Sequence, residues 1–284
     1  MKKYNSISLS RFAATICKVM GIDPPANADP AIDWVSETLA DISKEGFDRI
    51  VIHNADAVGM WLYERYPDAF TPILKHTHIT IPFISPMPSV TPVCFGTMYT
   101  GAMPEIHGIR KYEQPIIQID TFFEAVKRAG KKVAIVSTPT ASMSKIFLDK
   151  GADIYNCESE AEIVAKAQKL ILEDKYDILC VYTYMFDTMN HRHGPEAKET
   201  INALYEQGIF FDTLVSCIQR NWKQHNTLIA FAPDHGVHLA PEGTLNTKGK
   251  PIKGNHGSDS PLDLNILHYL GVVEREKPEA GTGQ

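Results

Sequence analysis

The sequence predicts an α/β fold, a three-layer α/β/α sandwich on a mostly parallel central sheet, in one domain spanning residues 1–284. Two observations predict it. Short, almost wholly apolar runs rich in β-branched residues recur along the chain, and amphipathic helical patterns separate them. Strands without a polar face are buried on both sides, and their alternation with helices points to parallel crossover units.

The elements follow in order. Residues 1–47 are expected to form an amino-terminal helical segment packed on the core. In MKKYNSISLSRFAATICKVMGI, Phe12, Ile16, Val19 and Met20 recur at helical spacing, with Ser8 or Ser10 as the cap. Arg11 and Lys18 interrupt any signal-peptide core. A second helix, Ala31 to Ser43, leads into a strand at Asp48 to Ile52. Further strands are expected at His78 to Pro82, Val133 to Val136, Asp177 to Thr183 and Thr227 to Ala232. Helices are expected at Met60 to Tyr66, Thr121 to Ala129, Ser142 to Lys150, Ala161 to Leu172 and Glu196 to Arg220. Gly46, Gly130 and Gly151 stand just past helix ends, where a left-handed residue is favoured. The end of the chain, from about residue 273 to 284, reads as a flexible tail.

Composition narrows the function. A formal net charge of -6 with no basic stripe argues against a nucleic-acid polymer as main partner. No apolar run reaches the roughly 18 residues of a membrane span, so no membrane partner is expected. The cysteines number five and show no CxxC pairing, which suits a reducing compartment and a cytoplasmic location. Monomer and homo-oligomer both fit.

Ligand sites of such sheets lie outside the carboxyl ends of the strands. Four expected strands end in chemistry-bearing residues. After Ile52 comes His53-Asn-Ala-Asp56, and after Pro82 comes PSVTPVCFGTMYTGAMPEIHGI with Thr91. After Thr183 comes Tyr184-Met-Phe-Asp187-Thr-Met-Asn-His191, and after Ala232 comes Pro233-Asp234-His235-Gly236. Asp and His together are preferred ligands of zinc and similar ions. The Asp187-x-x-x-His191 spacing lets one short turn supply two ligands. Asp234 and His235, adjacent at a strand end, are expected to point to opposite sides and serve two ions, or to share one through a bend. His256, between Asn255 and Gly257, is a further ligand candidate. Taken singly, each has a structural alternative, and Thr91 before Pro92 also reads as a helix cap.

Together these residues resemble the alkaline phosphatase superfamily, in its type I phosphodiesterase/nucleotide pyrophosphatase branch, from about Ile50 to Val272. Asp56-Ala-Val-Gly59 resembles the DGxG-type element. Thr91, Thr100-Gly101 and Pro104-Glu-Ile-His-Gly-Ile109 resemble the nucleophile segment. Asp187-x-x-x-His191-x-x-Gly-Pro195, Asp234-His235-Gly236 and His256-Gly257 complete the order. The resemblance implies an alkaline-phosphatase-like core and two divalent ions, usually zinc, with manganese as the alternative. It places Asp187, His191 and His256 on one ion and Asp56, Asp234, His235 and the Thr91 hydroxyl on the other.

The implied activity is hydrolysis of a small-molecule phosphoester, as a phosphodiesterase or nucleotide pyrophosphatase, with Thr91 as nucleophile and a phosphothreonine intermediate. A hydroxyl is a poor nucleophile at neutral pH, and a divalent ion lowers the pKa of bound water from 15.7 to about 7. The nucleophile segment can therefore stay nearly uncharged, with Glu105 its one acid. A helix starting near Cys94 to Gly96 would offer its amino end to the phosphoryl group. Cys94 stands where phosphodiesterases of the branch commonly carry an asparagine that donates to a phosphoryl oxygen. Substrate contacts are expected from Cys94, Arg110, Tyr112 and Tyr184. Short connections leave no room for large insertions. The same site would serve a phosphomonoesterase or a phosphonate (C–P) hydrolase, and a non-catalytic metal-binding protein is the rival of another class. The sequence has no CxPxR context for a sulfatase and no GxSxG elbow for a metal-free hydrolase.

Overall fold

The computed structural model describes residues 3–246 and 248–276. Its centre is an eight-stranded sheet. In chain order the strands are β1 (Ile7–Ser8), β2 (Arg49–Ala55), β3 (Ile79–Ile84), β4 (Val133–Ser137), β5 (Asp153–Asn156), β6 (Ile178–Thr183), β7 (Thr227–Phe231), β8 (His238–Leu239), β9 (Gly254–Asn255) and β10 (Asn265–Val273). The order across the sheet is β1-β3-β10-β7-β2-β6-β4-β5, with β8 and β9 forming a separate hairpin. Every pairing in the large sheet is parallel except those of β10, which runs antiparallel between β3 and β7. The mostly parallel α/β architecture expected from the alternating pattern is therefore present.

Side-chain alternation sorts the strands into two cores. Ile50 and Ile52 of β2, Cys180 and Tyr182 of β6, and Leu228 and Ala230 of β7 face one helical layer. Val51, Leu179, Val181, Ile229 and Phe231 face the other. Period-two alternation of wholly apolar strands leaves no polar face, so both faces must be covered. The amino-terminal helix Arg11–Met20 packs on the first layer, where Phe12 meets Phe83, Tyr99 and His268 edge-on. Ser10 precedes it, but its hydroxyl donates to the Asp29 carboxylate instead of capping the helix. At the other end, Val273 closes β10 and Glu276 pairs with Lys223 at 2.8 Å. Residues 277–284 of the expected tail lie outside the described residues.

β1, β5, β8, β9 and β10 were not among the expected strands. β5, DIYN, sits at the sheet edge and is only partly buried, so it lacks the apolar run that marks its neighbours. Among the described residues, no helix is long and apolar enough to cross a membrane.

Candidate active site

The carboxyl ends of β2, β3, β6 and β7 bring the predicted residues to one edge. β2 ends at Ala55, immediately before Asp56. Asp234 lies three residues beyond the end of β7. Strand alternation no longer governs it there, so Asp234 and His235 enter one cluster instead of diverging. Two glycines allow the approach. A Cβ on Gly236 would lie 2.0 Å from the Leu262 carbonyl oxygen and 2.9 Å from Gly59 Cα, so the Asp56 and Asp234 loops touch backbone to backbone. Ala57 is left-handed at φ 69°, and its N–H donates to Asp234 Oδ1 at 3.1 Å.

Asp187 and His191 lie on a helix, Met185–His193, where a short turn was expected. A four-residue spacing puts both on one helical face. The helix went unrecognised because Thr, Asn and His dominate it and its apolar face is narrow. His191 Nδ1 donates to the Gly254 carbonyl at 2.9 Å. A Cβ on Gly254 would lie 2.0 Å from Asn190 Oδ1, so glycine is what lets the hairpin come this close.

The six ligand-type residues form two groups, Asp56/Asp234/His235 and Asp187/His191/His256, each with ligand atoms within 4.8 Å of one another. The rings of His235 and His256 stack at 4.2 Å and join the groups. All three histidines share one tautomer. Nδ1 donates to a backbone carbonyl: Gly236 for His235, Gly254 for His191 and Ser89 for His256. Each Nε2 is thereby turned on carboxylate oxygens. His235 Nε2 is 3.4 Å from Asp56 Oδ1 and 3.5 Å from Asp234 Oδ2. His191 Nε2 is 3.3 Å from Asp187 Oδ2, and His256 Nε2 is 3.7 Å from Asp187 Oδ1. Buried Asp56 Oδ1, Asp187 Oδ1 and Asp234 Oδ2 have no hydrogen-bond partner. Acceptors facing acceptors in so tight a cluster need protons or cations between them. The donor set fits a divalent cation in each group.

Proton affinities express the same strain. Burial, reinforced by Asp234 and Asp187, holds the Asp56 carboxyl well above the usual range, although the Tyr182 hydroxyl donates to it. Burial pushes Asp234 up to about 7. At Asp187 burial also acts upward, but His191 and His256 outweigh it and draw the carboxyl down to about 2. His191 answers in the opposite sense: Asp187 overcomes burial and lifts the imidazole to about 9. Burial lowers His235 and, with His235 beside it, takes His256 down to about 4.

Thr91 is the first residue of the buried helix Thr91–Thr100, which starts earlier than the Cys94–Gly96 expectation. Its hydroxyl caps nothing. Val90 is the cap residue, and Thr91 Oγ1 lies 3.3 Å from His235 Nε2, which that tautomer makes the acceptor. His107, from the same motif, is structural. Its Nδ1 accepts the Ile109 N–H at 3.2 Å, and its Nε2 donates to Thr97 Oγ1 at 3.0 Å.

A cavity of about 760 Å³ opens over Asp56, Thr91, Asp187, His191 and His256. Tyr112 and Tyr184 line it. Cys94 and Arg110 do not. Cys94 is fully buried in the helix, and Arg110 is exposed and donates to the Glu105 carbonyl at 3.2 Å. Phe186, a further aromatic on the helix Met185–His193, belongs to the core. Tyr182, expected in a pocket loop with Tyr184, lines the cavity, but sequence reasoning missed a whole wall, Thr138 to Ser142 with Gln114. The signal was available: this wall follows the carboxyl end of β4, where the same strand-end rule applies.

No family model and no curated protein matches the sequence. Solved structures do match by fold. An inactive threonine-to-alanine form of murine ectonucleotide pyrophosphatase/phosphodiesterase 5, in complex with AMP, superposes with a TM-score of 0.63 at 13% identity, covering 79% of this chain and 88% of that one. The human protein of the same name gives 0.60 at 14% identity, covering 78% and 87%. The chain therefore shares the fold of these nucleotide pyrophosphatase/phosphodiesterase structures, the fold that its motifs led us to expect.

Proposed function

We propose that the chain is a divalent-metal-dependent hydrolase of phosphoryl esters, acting on phosphodiester or pyrophosphate bonds of a small molecule through Thr91. One observation carries the reading. Two Asp/His groups face inward with unpartnered carboxylate oxygens and oriented imidazole lone pairs, and a hydroxyl free of capping duty stands beside them. The AMP held by the murine neighbour suits the same substrate class.

Asp187, His191 and His256 would hold one ion and Asp56, Asp234 and His235 the other, zinc matching the donor set best and manganese being the alternative. Ions bound there supply positive charge that lowers the pKa of a nearby hydroxyl and offsets charge on phosphoryl oxygens. Thr91 Oγ1 attacks phosphorus. The Oγ1–P bond forms as the bond to the leaving oxygen breaks, and the Thr91 proton passes to solvent. Water then attacks the phosphothreonine, the Oγ1–P bond breaks, and Thr91 regains a proton. The imidazoles of His235, His191 and His256 keep their Nδ1 hydrogen bonds to backbone carbonyls throughout, so the ring orientation is set before substrate arrives. The fold supports diester over monoester substrates in one respect. Among the described residues lining the cavity, Lys248 is the one lysine or arginine, a thin supply of charge for a dianion.

The test is turnover of a nitrophenyl phosphodiester, a nitrophenyl monoester and phosphonoacetate by zinc- or manganese-loaded protein, alongside Thr91→Ala. The diester is expected to be cleaved fastest. Thr91→Ala is expected to fold and bind metal yet lose about 10³-fold or more in rate. Preferred cleavage of the monoester or of phosphonoacetate moves the substrate class to that alternative. Metal binding with no cleavage of any of the three makes the chain a metal-binding protein on a hydrolase scaffold.

A further inference from the structure

Glu160 is a buried acid that the proposed chemistry leaves unused. It stands in the first turn of the helix Glu160–Glu173, on a different element from every ligand-type residue, and is 5% exposed. Its Oε1 accepts the N–H of Tyr184 and, at 2.6 Å, that of Met185. These are the cap residue and first residue of the helix Met185–His193, which carries Asp187 and His191. The first amides of a helix have no partner within it. Tyr184 offers no side-chain cap of its own, so the distant carboxylate does that work.

A chain of buried polar groups stands behind Glu160. Gln207, on the helix Lys198–Asn221, directs Nε2 to Glu160 Oε2 at 3.5 Å and accepts the Thr183 hydroxyl on Oε1. Thr183 ends β6, and its oxygen lies 2.9 Å from His53 Nε2 on β2. The carboxylate thus fixes where the ligand helix begins relative to the two central strands that place Asp56. Asp187 is two residues past Met185, so a slipped first turn moves it directly.

We propose that Glu160 is a positioning residue for the Asp187/His191/His256 group, setting its affinity for a divalent cation without touching the cation. The proposal rests on the metal-dependent reading above. Oriented outer partners of ligand-bearing elements are typically worth about 10–100-fold in metal affinity.

The experiment is cobalt(II) titration of metal-free full-length protein, following the visible ligand-field bands and the number of ions bound, for wild type, Glu160→Ala and Glu160→Gln. Urea unfolding in chelator checks that each variant is folded. Glutamine keeps an Oε1 that accepts both amides, and alanine keeps neither contact. The expected result is two ions in the wild type. Glu160→Ala should keep one ion at wild-type affinity and bind the second about 10–100-fold more weakly, with altered bands, and Glu160→Gln should restore the second ion. Wild-type affinity and spectrum in Glu160→Ala would overturn the proposal, as would equal weakening of both ions or equal loss in both variants. Should Glu160→Ala fail to fold, Glu160→Asp, whose shorter side chain falls short of the amides, takes its place with the same expected result. A wild type that binds no cobalt refutes the metal-dependent reading instead, so the two failures are distinguishable.

Discussion

Replacing Asp234 by asparagine isolates what the buried carboxylates do to the metal-free protein. Asp234 is fully buried, its Oδ1 accepts backbone N–H groups of Ala57 and His235, and its Oδ2 is unpartnered 3.5 Å from His235 Nε2. Asparagine keeps the Oδ1 acceptor and places an amide N–H before that imidazole lone pair. Burial raises the Asp234 carboxyl from 3.8 to about 7, so the folded protein holds this proton more tightly than the unfolded chain. Stability from such a group is complete below the unfolded pKa and is lost as pH rises through the folded one. About three pH units at about 1.4 kcal/mol each amount to roughly 4 kcal/mol lost by pH ~7. Metal-free Asp234→Asn is therefore expected to be more stable than metal-free wild type by up to about 4 kcal/mol at pH ~8, and level with it near pH ~4. Urea unfolding in chelator measures both. Saturating zinc should erase that lead, since an ion at a thousand times its Kd adds about 4 kcal/mol to the protein that binds it. Equal metal-free stabilities at both pH values would refute the reasoning, because the unpartnered carboxylate would then carry no penalty.

Three further outcomes follow from the geometry. Gly236→Ala drives a methyl group to 2.0 Å from the Leu262 carbonyl, so a loss of about 3 kcal/mol or more is expected, and a thermal midpoint within about 2 °C of wild type would contradict it. His53 and His268 are buried and neutral, with burial taking each imidazole down to about 3, so stability should fall as pH drops from about 6.5 towards 3, by about 1.4 kcal/mol per unit per ring. His268→Gln should remove one ring's share of that slope in urea midpoints, and an unchanged slope would show that His268 titrates normally in the native state. Asp187 holds the His191 proton up to about 9, so metal loading near neutral pH must expel it, and affinity should rise with pH towards 9. Calorimetry in buffers of different ionisation enthalpy counts that proton, and no release at neutral pH would sink the prediction.

Much of the fold was legible because burial leaves a local record. The strands at β2, β3, β4, β6 and β7 are apolar runs, and helices separate them. β10 was missed because His268 and Gly271 interrupt its apolar run, and its antiparallel placement depends on β3 and β7 far away in the chain. The strand-end rule brought out Asp56, Thr91, Asp187, His191, Asp234 and His235, which the structure gathers at one edge with His256. It did not reveal orientation. Whether Asp234 and His235 diverge depends on where β7 stops, and whether Thr91 caps a helix depends on where that helix starts, which is one residue too early for it. Histidine itself is ambiguous in sequence. His53, His107 and His268 occupy buried structural positions, and only their carbonyl, hydroxyl and amide partners separate them from the ligand set.

The antiparallel strand has a consequence for how the molecule comes into being. Until residues 265–273 leave the ribosome, the ribbon of β1 with β3 has nothing joining it to the five strands led by β7, and two long edges lie open to other chains. β10 is a keystone, wedged between halves made before it, so the sheet closes through contacts distant in sequence. Nascent chains stalled before Asn265 are accordingly the form of this protein most exposed to aggregation.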